Sequence, residues 1–204
     1  MVKQFRHKDQ SCRAKALDLW DKSTDISLAN YFERIVSDYK LCHQERAKKE
    51  LHWFAIQPNI QKVIELAALA KSPGGKRLSH QRRIPERVLE ESCRRLLSNQ
   101  ALLENCSSFE ELHEVIAQTL ESIHGIGELT VYDTSLRIGS FLKLEPSKVF
   151  LHAGTRIGAR YLGMGVSKSK LEISEFPVQF RMLKPREIED VLCIYKKWFS
   201  RIDD

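Results

Sequence analysis

Ile123-His124-Gly125-Ile126-Gly127 is the segment of this 204-residue chain whose residue types and spacing point most directly to chemistry. Two glycines around one apolar residue let a chain reverse tightly, because neither carries a Cβ to clash. Ile126 would then plug the space between the flanking helices. The backbone N–H groups of Gly127 and the turn after it would face outward, forming an anion site at a helix N-terminus. Such a site holds a nucleic-acid phosphate without reading a base. Gly125, Ile126 and Gly127 are therefore candidate phosphate contacts. Glu128 follows directly, and a carboxylate there repels the phosphate unless it points away.

Cations recur on both sides of this segment. Ser79-His80-Gln81-Arg82-Arg83-Ile84-Pro85, preceded by Lys76 and Arg77, is a basic loop leading into a helix. The planar forks of Arg82 and Arg83 suit phosphate. Further on, His152-Ala153-Gly154-Thr155-Arg156 places Thr and Arg at the opening of a helix that also carries Arg160. Arg156 and Arg160 complete the candidate nucleic-acid contacts. His152 suits an acid–base or phosphate role, against the plainer reading of a packed histidine hydrogen-bonded at a bend. Asp133 and Arg137 stand four apart on one helix, which most simply makes a local ion pair. A second catalytic reading takes His152, Asp133 and Glu128 as a relocated site of a nucleic-acid-processing enzyme of DNA-repair type.

Metal and cofactor chemistry has little to build on. Cys42-His43 and His52 have no Cys or carboxylate partner at ligand spacing, and no His-x-x-x-His occurs. The five cysteines (12, 42, 93, 106 and 193) include no Cys-x-x-Cys pair, which fits reduced thiols rather than a disulfide framework. No phosphate-binding Gly-rich loop, dinucleotide fingerprint or local nucleophile–base signature is present. The expectation is no metal and no cofactor.

The elements that must position these residues are helices. Apolar residues recur at a helical period over 26–41, with Ala29, Phe32, Ile35, Val36 and Tyr39 on one side. Residues 51–56 look buried, and Pro58 suits the first turn of a helix through Val63, Ile64 and Ala67. Ser72-Pro73-Gly74-Gly75 is the clearest loop. Pro85 opens a further helix with Leu89, Cys93 and Leu96 inward. Ser108 and Glu111 read as a capping box starting a helix to Ile123. After the glycines a helix should run from Glu128 to about Leu144, and Pro185 should start the last one, ending near Phe199. Residues 149–151 are the one plausible extended piece; Trp20, Trp53 and Trp198 suit the core. The fold class is mainly α, with about eight helices. It divides into an N-terminal helical region (1–71) packed on a helical domain (79–204), or forms one domain throughout.

A content of 42% hydrophobic and 29% charged residues excludes a disordered or fibrous chain. No apolar run reaches the roughly 18 residues of a membrane span, so no membrane association is expected. The N-terminus lacks the apolar stretch of a secretory signal, which makes the cytoplasm the expected location. A net charge of +6 only faintly suggests a polyanionic partner. Its layout says more. Residues 71–95 carry eight basic and three acidic residues, and 134–170 carry seven and one. Between them, 96–133 has seven acids and no Lys or Arg, which works against DNA and suits a protein partner. The acidic stretch and the C-terminal helix would then be the working surfaces of an α-helical interaction module.

Taken together, the apolar–Gly–apolar–Gly turn between two amphipathic helices resembles a helix-hairpin-helix motif. Over about residues 80–163 the chain also resembles the helix-hairpin-helix DNA glycosylases: a Pro146-containing linker, an apolar run at Val149-Phe150-Leu151, then His152 to Arg156 and a short helix. The resemblance implies an all-α glycosylase-like core that binds DNA through the phosphate backbone. It also implies two catalytic groups that this chain lacks. Leu129 stands where strand-cleaving members carry a nucleophilic lysine. Phe150 or Leu151 stands where the family carries its aspartate, and no Asp occurs between Asp133 and Asp190. The expected function is non-sequence-specific DNA binding on a glycosylase-like scaffold without glycosylase chemistry.

Overall fold

Ser27 caps the first described helix of the computed structural model, its Oγ accepting the Asn30 N–H at 3.4 Å. The structure describes residues 27–200; Cys12, Trp20 and Ile26 lie outside them. Ten α-helical segments are present among the described residues. Two of these, Gln100–Glu104 and Lys196–Phe199, are a single turn each, leaving eight longer helices, as the periodicity predicts. None is long and apolar enough to cross a membrane.

The described chain forms two units, residues 27–47 with 148–200, and residues 48–147. The division does not follow the expected boundary between 71 and 79. Helix α3 (Ile60–Ala68) buries Ile60, Val63, Ile64 and Ala67 in the same core as helices that come after that boundary.

In residues 48–147, most of α2 (Glu45–Ala55) is surface: Phe54 is fully buried, whereas Ile56 just beyond it is 62% exposed. The buried segment expected over 51–56 thus reduces to one face, because its neighbours fall on the solvent side of a 3.6-residue turn. Asn59 is the N-cap of α3 and accepts the Lys62 N–H at 2.8 Å, so Pro58 precedes the helix instead of entering its first turn. Helix α4 (Glu86–Ser98) follows Pro85 and buries Leu89, Cys93 and Leu96. After the short α5 (Gln100–Glu104), α6 (Phe109–Leu120) is capped by Ser108, whose Oγ accepts the Glu111 N–H at 3.2 Å. The Glu111 carboxylate turns one residue further back than a capping box requires, accepting from Ser107 N and Oγ at 2.8 and 2.9 Å. Helix α7 (Glu128–Leu142) ends at Lys143, which takes a left-handed φ of 61° and stops it two residues short of Leu144.

In the other unit, α1 (Leu28–Tyr39) runs into a single π-helical turn, Lys40–Gln44. The extended piece at β1 (Val149–Phe150) pairs antiparallel with β2 (Lys170–Leu171), a strand the periodicity did not reveal. Helix α8 (Ala153–Tyr161) packs on α9 (Pro185–Ile194). The helix expected to run to Phe199 breaks at Tyr195 into α9 and α10 (Lys196–Phe199). The core here centres on Phe32, Ile35, Val36, Phe180, Ile188 and Val191. Phe32 and Phe180 stack at 5.1 Å between centroids.

Candidate nucleic-acid interface

The connection between α6 and α7, residues 121–127, is held by local backbone bonds. Ile123 N–H donates to Leu120 O at 2.9 Å and Ile126 N–H to Ile123 O at 3.2 Å. Ile123 is buried, and Ile126 packs half-buried against the same core, as a plug between helices must. Gly125 has φ +97°, a conformation side-chain-bearing residues avoid. Gly127 plays a different part. It is the N-cap of α7, with φ −110° and no side-chain cap, and nothing lies within 4 Å of where its Cβ would stand. Its carbonyl accepts from Thr130 and Val131 at 2.9 and 3.1 Å. An uncapped, open N-terminus on a fifteen-residue helix carries a partial positive charge facing outward. His124, Gly125, Gly127 and Glu128 are all exposed.

The basic loop is tied to this helix by a residue between its cations. Gln81 is buried and donates to Asp133 Oδ2 at 2.5 Å, while Arg82 and Arg83 on its C-terminal side are exposed. Three further contacts shape the segment: Ile84 N–H to Gln81 O at 3.1 Å, Arg77 Nη1 to Ile84 O at 2.8 Å, and an Arg77–Glu86 pair at 3.7 Å. The start of α4 then passes the turn, since a Cβ on Gly125 would meet Val88 at 3.8 Å. The loop carrying Arg82 and Arg83 is thus bound to α7 on one side and leads to the turn on the other.

Asp133 is more than the partner of a local ion pair. Its Oδ2 takes three donors: Gln81 at 2.5 Å, His80 Nδ1 at 3.2 Å and Arg137 Nη2 at 3.4 Å. Arg137 also donates to Gln81 Oε1 at 3.2 Å and stands 3.9 Å from Glu50 and 5.8 Å from the Phe54 ring centroid. Burial opposes ionisation of Asp133, but Arg137 and the bonds from His80 and Gln81 outweigh it and hold its pKa below the ordinary aspartate value. It is an ionised anchor at neutral pH. Arg137 itself is 5% exposed, and its Nη1 has no hydrogen-bond partner.

The remaining candidates belong to the other unit. His152 is 3% exposed at the N-cap of α8, its Nε2 bonded to the buried Glu189. Its N–H donates to Thr155 Oγ1 at 2.8 Å, and that hydroxyl donates back to His152 O at 3.0 Å. These contacts describe a packed histidine at a bend. Arg156 is engaged as well, donating to Val166 O and Lys168 O at 3.1 and 3.0 Å; Arg160 is exposed. Phe150 and Leu151 are buried core residues, and Leu129 is half-buried.

Two partnerships were invisible in the linear chain: Gln81 and His80 with Asp133, some fifty residues away, and Glu189 with His152. A third polar group joins α1 and the π-helical turn after it to α9 and the residue that ends it, Tyr195. There Tyr39 OH donates to Asp190 at 2.7 Å, Gln44 to Glu187 at 2.9 Å and Tyr195 OH to Asp38. Burial, then the carboxylate beside each, pushes both tyrosine pKa values up. Among the described residues no group of three or more His, Cys, Asp or Glu is arranged to hold a metal ion. Compared with protein-family models, curated proteins and solved structures, the chain matches none.

Proposed function

We propose that this chain is a non-sequence-specific DNA-binding protein that grips backbone phosphates through a helix-hairpin-helix turn. It would do so on a glycosylase-like scaffold that lacks the family's lysine and aspartate. The observation that carries the reading is the shared anchoring of two phosphate-binding elements on α7. The open, uncapped N-terminus at Gly127 begins the helix, and Gln81, bonded to Asp133 of the same helix, holds the loop that exposes Arg82 and Arg83. Backbone N–H groups and guanidinium forks both take phosphate without reading bases. Arg160, exposed on α8, is a further candidate contact. The cysteines are scattered and include no Cys-x-x-Cys pair, which suits a reducing cytoplasm.

Titration of a short labelled duplex against salt tests the reading. Affinity should fall linearly with salt on a double-logarithmic plot, because each neutralised phosphate releases condensed cations. Gly127→Asp should weaken binding with the fold intact, since φ −110° suits any residue and the Cβ has open space. Affinity independent of salt, or unchanged in Gly127→Asp, rejects it.

A second reading, a protein-interaction module, draws on the exposed face of α6. There Glu111, Glu114, Gln118 and Glu121 recur at helical spacing toward solvent. Stable co-purification with a basic protein, in preparations free of nucleic acid, would favour it over DNA.

A further inference from the structure

Helix α4 meets the glycine turn along one of its faces. Val88 is the side chain nearest to where a Cβ on Gly125 would stand, at 3.8 Å. Arg95, seven residues on, donates from Nη1 to Ser122 Oγ at 2.5 Å. Residues seven apart share a face of a helix, so the side carrying Val88 and Arg95 follows residues 122–125. Arg87 and Arg94 are a second pair seven apart, each one residue before a position that touches the turn. Both are exposed and hold equivalent places on the helix, but their partners differ.

Arg94 is bound to Glu91, which also accepts from Arg95 Nε at 2.7 Å. Glu86 is paired with Arg77 at 3.7 Å. Of the acids nearest Arg87 on α4, only the exposed Glu90 is thus left without an arginine partner. Arg87 makes no ion pair or hydrogen bond among the described residues, and neither do Arg82 and Arg83 in the loop before it. Three unpaired cations therefore fall within residues 82–87, at the end of α4 that meets Gly125.

We propose that Arg87 is a further phosphate-binding residue of this interface, an unpaired arginine that α4 sets beside the glycine turn to hold the backbone of a nucleic acid.

The planar fork of a guanidinium matches two oxygens of one phosphate. An arginine already bound to a carboxylate must surrender that bond to take a phosphate, as Arg94 would. Arg87 surrenders only water, and each phosphate it neutralises releases a condensed cation from the nucleic acid. The difference between the two arginines is thus one of partner and place, since both carry the same charge.

The proposal rests on the phosphate-binding reading above, and one experiment separates the two. Binding of a short labelled DNA duplex is measured over a salt series for the whole chain, for Arg87→Ala and for Arg94→Ala. Each variant loses one positive charge at an exposed helix position that tolerates alanine well. Arg87→Ala should bind severalfold more weakly at low salt, with a salt slope shallower by about one, as the loss of one phosphate contact requires. Arg87→Gln, which keeps a long polar side chain without the charge, should behave in the same way. Arg94→Ala should keep the wild-type slope, because Arg94 is spent on Glu91 and Glu91 keeps Arg95. A wild-type slope in both Arg87 variants overturns the proposal. An equal loss in Arg94→Ala overturns it as well, because it would show a diffuse field in place of a contact. Wild-type binding that is absent at low salt, or independent of salt, rejects instead the phosphate-binding reading beneath it.

Discussion

Arg137 carries a charge at 5% exposure, and its neighbours show how such a charge is tolerated. Its Nη2 is shared between Asp133 and Gln81, Glu50 stands at 3.9 Å, and the Phe54 ring lies on its other side. Removing one member of a buried pair strands the other, at a cost on the order of 3 kcal/mol. Arg137→Leu should therefore destabilise the protein by about that much in urea unfolding, although leucine fits a core better than arginine does. The pH dependence follows from Asp133. Its folded-state pKa is depressed, so its contribution to stability is present above the ordinary aspartate range and is lost as pH falls through the folded value. Asp133→Asn should flatten the acid limb of stability against pH. An acid limb unchanged by that substitution would mean the carboxylate is not held as described. The sequence showed Asp133 and Arg137 as an i, i+4 pair, and that pair is present. It gave no sign of Gln81, because a glutamine among arginines in a polar loop has no periodicity to mark it as buried.

The turn between α6 and α7 separates two uses of glycine within one element. Gly125 needs its φ of +97°, so Gly125→Ala should cost about 1–2 kcal/mol, the strain of a left-handed residue bearing a Cβ. Gly127 has an ordinary φ of −110° and open space where a Cβ would stand, so Gly127→Ala should cost less than Gly125→Ala, only the difference between glycine and alanine as an N-cap, when the two variants are compared by thermal unfolding. Glu128, exposed on the first residue of α7, stabilises the helix N-terminus and, on the proposed reading, would at the same time repel a phosphate there. Glu128→Gln should accordingly raise affinity for duplex DNA at low salt while slightly lowering the melting temperature; weaker binding would remove the α7 N-terminus as a contact. Helix existence was legible almost everywhere at this scale, because burial imposes a 3.6-residue period on the sequence. Helix ends were less so. Leu144 was expected inside α7 but lies beyond the left-handed Lys143, and the last helix breaks at Tyr195, neither position marked by Gly or Pro.

At the scale of the whole chain, each unit has its own buried core, and each depends on close backbone approaches that composition does not advertise. A Cβ on Gly158 would stand 2.3 Å from Leu192 O, where α8 presses on α9. Overpacking against a backbone carbonyl leaves no flexible group to yield, so Gly158→Ala should destabilise by several kcal/mol or abolish soluble expression. A near-wild-type melting curve would contradict that packing. From its own pattern the sequence determined the helical class, the number of longer helices, the tight turn at Gly125 to Gly127 and the separation of charge into basic and acidic stretches. All of these are local properties, written in spacing of a few residues. Only the tertiary structure decided that the chain divides at 47/48 and 147/148, that β1 finds a partner in Lys170–Leu171, and that His152 is sealed against Glu189. It also decided that Gln81 and His80 meet Asp133. Such pairings join residues tens of positions apart through hydrogen bonds between single atoms. No periodicity records them, because their partners are chosen by the packing of helices and not by neighbours in the chain.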